Sequence, residues 1–142
     1  MTGSHREDYF LRQVKALAGM LARLVGLRTG GQSEEARAEL ERAYGALLGP
    51  EAELVRRADS STAAMLLGSP ERLLLFVQLV CEEAAQAPED GLRRLLRARA
   101  AEFDFEAGRR DPENEEIRRF LRQLSAAGDG RSLASPSEAE PK

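Results

Sequence analysis

The stretch Ser69-Pro70-Glu71-Arg72-Leu73-Leu74-Leu75-Phe76-Val77-Gln78-Leu79-Val80-Cys81-Glu82-Glu83-Ala84-Ala85 decides the fold. Ser69 followed by Pro70 is a helix start: the serine hydroxyl accepts from an early backbone N–H, and proline lacks an N–H that would go unpaired there anyway. From Leu73 to Ala85 the chain is apolar on nearly every side of a helix, with Gln78 and Glu82 expected to mark a narrow wet strip. A helix apolar all round is a buried one, so this segment is expected at the centre of the fold.

On its N-terminal side, Phe10, Val14, Leu17, Leu21 and Leu24 recur at steps of four and three, one face of a helix over about residues 6–28. Tyr9, Ala16, Met20 and Leu27 form a neighbouring stripe, so helices are expected on two sides. Gly30-Gly31 ends this helix, because glycine adopts left-handed geometry without a Cβ penalty. Ser33 is the expected cap of the next helix, with Glu34 and Glu35 at its positive end and Ala36, Leu40, Ala43, Tyr44 and Leu47 on its apolar face. Gly49-Pro50 stops it. Residues 51–68 read as two short helices broken at Asp59-Ser60-Ser61-Thr62.

On the C-terminal side, Pro88-Glu89-Asp90-Gly91 turns the chain into a helix with Leu92, Leu95, Leu96, Phe103 and Ala107 on one face. Asp111-Pro112-Glu113 opens a last helix carrying Ile117, Phe120, Leu121 and Leu124. The expectation is an all-α chain of about six helices, two α-hairpins joined by short helices. Residues 1–7 form a flexible leader, 8–127 one helical domain, and 128–142 a disordered tail too poor in apolar residues to offset the cost of ordering.

Composition agrees. Of the 142 residues, 42% are hydrophobic but only 5% aromatic, and Trp is absent, a balance dominated by helix formers. A net charge of −3 lacks the one-sided basic excess of a nucleic-acid binder. Basic charge is nearly all arginine, Lys15 and Lys142 being the lysines. This reads either as a GC-rich bacterial genome or as a demand for guanidinium chemistry at many sites. A lone Cys81 points to a reducing compartment, a polar N-terminus is no signal segment, and the longest apolar run, Leu73–Val77, is far short of a membrane span. A cytoplasmic protein without membrane contact is expected.

Two hairpins share a pattern: Glu34-Glu35-Ala36, Leu40 and Ala43 in one, Glu89-Asp90-Gly91, Leu95 and Ala98 in the other. The small–large–small spacing resembles the second helix of a tetratricopeptide repeat, where small residues let paired helices approach closely. The chain departs from that motif at Met20, Arg23 and Leu24, where a large aromatic, Leu and Gly stand in the family. The spacing of about 55 residues also exceeds the usual ~34, because residues 50–68 are interposed. Over residues 8–110 the chain is also similar to a family of small, uncharacterised bacterial helical proteins that open with Asp-Tyr, a hydrophobic pair and Arg, here Asp8-Tyr9-Phe10-Leu11-Arg12. That resemblance implies a fold and no activity.

Chemistry is thinly provided for. His5 is the one histidine and Cys81 the one cysteine, too few for a zinc site or a Cys/His pair unless the two meet. Glu-x-x-His of a di-iron bundle occurs nowhere, and Gly30-Gly31 lacks the strand and lysine of a phosphate loop. Glu82-Glu83 and Glu115-Glu116 are adjacent and point about 100° apart, a solvated-face arrangement rather than an acid/base pair. No catalytic residue, cofactor or metal is expected.

Three features stand apart. Arg99 falls on the apolar face between Leu95, Leu96 and Phe103 and needs a partner: an acid such as Glu102 or Glu106, one from a neighbouring helix, or a bound anion. Phe105 lies with Ala98, Ala101 and Gly108 in a small-residue groove that either receives another helix or leaves the aromatic exposed for a partner. Tyr9, Gln13, Met20 and Arg23 line the second stripe of the first helix, which either packs internally or forms a groove. The expected function is a non-catalytic interaction module with a protein or peptide partner, or self-association; the alternative is a sensor for an anionic small molecule centred on Arg99.

Overall fold

The structure, a computed structural model, describes residues 2–110 and Arg119, with side chains from Arg12 onward. The last helix expected from Ile117, Phe120, Leu121 and Leu124, and the tail at 128–142, lie outside the described residues.

Within them, α1 (Thr2–Thr29) and α2 (Ser33–Leu48) form a first hairpin, and α5 (Pro70–Gln86) and α6 (Asp90–Arg110) a second. Between them run a 3-10 turn (Gly49–Glu51), α3 (Ala52–Arg57) and α4 (Ser60–Leu67). Every element among the described residues is helical. α5 packs against α1, α2, α4 and α6, the central place its sequence demands. Its residues Leu73 to Val80 are all buried, and Ser69 Oγ accepts from the Arg72 N–H at 3.2 Å while Pro70 occupies the first turn.

The wet strip expected on α5 is not wet. Gln78 is 8% exposed and Glu82 1%. Neighbours surround α5 too fully to leave a solvent channel, and Glu82 tolerates burial because Arg28 of α1 binds both its oxygens, Nε to Oε1 at 2.7 Å and Nη2 to Oε2 at 3.1 Å. A paired, doubly hydrogen-bonded carboxylate is the form in which a charge survives inside.

α1 begins at Thr2, earlier than Arg6, since no proline interrupts the chain before Pro50. Its face of Val14, Leu17, Leu21 and Leu24 is buried as expected. The second buried flank is Ala18 and Val25, not the Ala16–Met20–Leu27 stripe: Ala16 is exposed and Met20 and Leu27 are half-buried. α2 and α5 cover an arc centred on Leu21, which takes in 18 and 25 and leaves 16, 20 and 27 at its margin.

α2 buries Ala36, Leu40, Ala43, Tyr44 and Leu47. Gln32, not Ser33, is its cap residue; Ser33 already lies in the first turn, and no side chain closes that end. The interposed segment breaks where expected: Asp59 Oδ1 accepts from the Thr62 N–H at 2.8 Å and caps α4, which ends at Gly68 with φ 84°, a left-handed conformation suited to glycine. Two of the α6 residues expected in the core, Leu92 and Leu95, are 42% and 65% exposed. The fully buried positions of α6 begin only at Ala100; before it, Leu96 alone of the expected leucines packs partly buried against the core.

Candidate interaction site

Arg99 does not meet an acid. Its Nη2 donates to the carbonyl of Arg56 and, at 3.0 Å, to that of Ala58, the open C-terminal end of α3. The guanidinium carbon also stands 4.6 Å over the Phe103 ring centroid. The ion pair expected with Glu102 or Glu106 is absent because Glu106 is taken by Arg109 and Arg110, both at 2.8 Å. Helix ends expose unpaired carbonyls at the negative end of the dipole, and a cation satisfies both deficits.

Two further arginines also donate to carbonyls at helix ends. Arg72 of α5 donates to Leu67 O at 2.8 Å and to Leu47 O, joining the ends of α4 and α2. Arg93 donates to Ala87 O just past the end of α5 and to Asp90 Oδ1, both at 2.8 Å. At Arg72 the forked donor spans carbonyls from two different elements, which an ammonium on one stem matches poorly. At these positions guanidinium chemistry is in use, whatever produced the arginine-rich composition.

A cluster that sequence alone does not assemble sits beneath α3. The Tyr44 hydroxyl donates to Glu83 Oε1 at 2.7 Å, and Arg56 lies 3.5 Å from Glu83 Oε2 and 3.4 Å from Glu41. The Arg56 guanidinium covers the Tyr44 ring at 4.2 Å. Tyr44, Phe76 and Phe103 continue as an aromatic line, with centroids 6.0 Å and 4.9 Å apart. Burial, and then the charge and hydrogen bond of Glu83, push the Tyr44 hydroxyl well above its usual pKa. The only advance signal was Tyr44 on an apolar face, a residue whose hydroxyl must find a partner when buried.

The remaining candidates fall on separate surfaces. Arg23 lies on the exposed side of α1 and reaches the buried Glu39 of α2 at 3.6 Å, which Arg42 also holds at 2.7 Å. Gln13 and Met20 are half-buried at the margin of α1, and the side chain of Tyr9 lies outside the described residues. Phe105 is 70% exposed on α6, in an open depression of Ala101, Asp104, Gly108 and Arg109. Of the two alternatives for this groove, the exposed aromatic is the one observed.

The apolar crevice between α1, α2 and α5, lined by Leu17, Leu21, Ala43, Leu47, Leu75 and Leu79, is too narrow to admit water. Among the described residues no group of three His, Cys, Asp or Glu side chains converges as a metal site, and no helix is long and apolar enough to cross a membrane. Burial, and next the charge of Glu82, raise the Cys81 thiol above its usual pKa, which disfavours the nucleophilic thiolate. Compared with protein-family models, with curated proteins and with solved structures, the chain matches none of them.

Proposed function

We propose that the chain is a non-catalytic, tetratricopeptide-like interaction module of the bacterial cytoplasm, which binds a protein or peptide partner, or a second copy of itself, through a face of α6. The observation that carries this reading is Phe105: a large aromatic, 70% exposed, flanked by small residues and bounded by one acid and one arginine. Aromatics in such settings dominate the energetics of protein contacts, because they bury much area with few torsions to freeze. The packing of α5 on both helices of the first hairpin supports the repeat-like reading, since stacked hairpins contact their neighbours in this way.

The anionic-sensor alternative draws less support. A ligand at Arg99 must displace two carbonyls and open a pocket beside Phe103, which is fully buried.

The test is affinity capture from native lysate by wild-type protein and by Phe105→Ser, with thermal melting as a check that both fold equally. The reading expects a discrete partner, or self-association, that the variant loses. Equal capture by both proteins contradicts it.

A further inference from the structure

We infer that residues 49–59 are a displaceable strap over a second docking surface, and that this surface takes a partner helix ending in an apolar residue followed by arginine. This extends the reading of the chain as an interaction module to a site distinct from Phe105. On α6, Phe105 and Arg99 are six residues apart and therefore on different faces.

The strap is weakly held. α3 is six residues long, too short for stability of its own, and no side chain caps its N-terminus. Between Gly49 and Asp59 only Val55 is fully buried, Ala52 and Ala58 pack partly buried against the core, and Leu54 is 56% exposed. Its polar ties are the part-exposed Arg56 pairs with Glu41 and Glu83, the Arg56 guanidinium over the Tyr44 ring, the Arg99 bonds to its final carbonyls, and Asp59 where it caps α4; each is made by an exposed or part-exposed side chain or at the segment's end. Such a segment belongs to the low-stability end of a fold.

The surface beneath it does not depend on it. Glu83 is fixed by the Tyr44 hydroxyl through one oxygen, and only the other faces Arg56. Arg99 is steadied over Phe103. Both anchors stand on long helices, so an acidic and aromatic seat for a guanidinium and a cationic seat for helix-end carbonyls persist when α3 lifts. The strap itself shows the chemistry that fits: Val55 inward, Arg56 onto Tyr44 and Glu83, carbonyls onto Arg99.

A tethered strap competes at high effective concentration, so an outside partner needs a contact the strap lacks. Leu95 and Leu92 provide one. They lie one and two turns before Arg99 on the same face of α6 and are exposed.

The test uses a fluorescein-labelled peptide copy of residues 49–59 and the full-length chain, read by anisotropy. Full-length Val55→Ser, whose own strap is loosened, is expected to bind the peptide tighter than wild type by about an order of magnitude. Adding Arg99→Leu should abolish the gain while circular dichroism stays helical. Equal binding by wild type and Val55→Ser, no binding by either, or a gain indifferent to Arg99→Leu overturns the inference. Hydrogen exchange of the wild type gives a readout free of folding defects. Amides 52–58 should exchange by local opening while amides 73–80 await global unfolding, and exchange of both only on global unfolding overturns the strap. None of these results touches capture through Phe105, so the two readings fail separately.

Discussion

Arg28 binds Glu82 through two hydrogen bonds across 54 residues of sequence, joining the last turn of α1 to the C-terminal half of α5. Glu82 is 1% exposed and the Arg28 side chain 18%, so this is an interior ion pair. Removing one partner of such a pair costs about 3–5 kcal/mol, because the other charge is left in a poor solvent. Glu82→Ala is therefore expected to lower stability by about that amount in urea titration. Replacing both residues, as Arg28→Met with Glu82→Leu, should recover most of it. A cost below about 0.5 kcal/mol, the usual range for a surface change, would show that the carboxylate is solvated after all.

Phe76 is 1% exposed and stands between Tyr44 and Phe103. Phe76→Ala removes its transfer free energy and leaves a cavity, an expected loss of about 3–5 kcal/mol. Equilibrium denaturation checks this directly. A loss of about 1 kcal/mol or less would mean that the aromatic line collapses to fill the gap.

What the sequence made legible, and what it hid, follows from the physics of each case. The apolar wrap of Leu73–Val80 identified the central helix, and Ser69-Pro70 and Asp59 announced their helix starts through local bonds. Glu82 misled because charge suggests solvent unless the partner is known, and Arg28 lies far away in sequence. Arg99 misled because its partners are carbonyls, which every residue has and no residue type advertises. Leu92 and Leu95 share the periodicity of core residues, yet periodicity gives a face and not what covers it. Phe105 could be placed off the main stripe, but whether another helix covers it is a tertiary matter.

For Arg99→Leu, the carbonyl bonds make a loss of about 1–3 kcal/mol the expected outcome, the worth of hydrogen bonds to a charged donor. Trypsin should then cut at Arg56 or Arg57 faster than in wild type, since the end of α3 is released. Unchanged stability with unchanged cleavage would remove Arg99 as the clasp of α3.

Tyr44 gives the fold an alkaline limit. Its folded pKa is raised above the ordinary 10.0, so the neutral phenol is favoured in the native state. The stabilisation is fully present below the unfolded value and declines as pH rises above about 10, because the unfolded chain then ionises more readily. Tyr44→Phe should flatten the decline in a stability profile from pH 8 to 11 while losing the bond to Glu83. A profile as steep as that of wild type would place the alkaline sensitivity elsewhere, with Cys81 the first alternative.

Cys81 should label slowly with a thiol reagent at neutral pH in the native protein and rapidly in denaturant, because burial holds the thiol protonated. Rapid native labelling would show an accessible, reactive sulfur.

Site-specific photocrosslinking tests the contact function most directly, with a benzophenone amino acid at position 105 and, as control, at the exposed position 38 of α2 in the full chain within its native cells. The expected result is a discrete adduct at 105, to another protein or to a second copy, and none at 38. Indistinguishable smears at both positions, or no adduct at 105, would contradict the assignment of the Phe105 face as a binding surface.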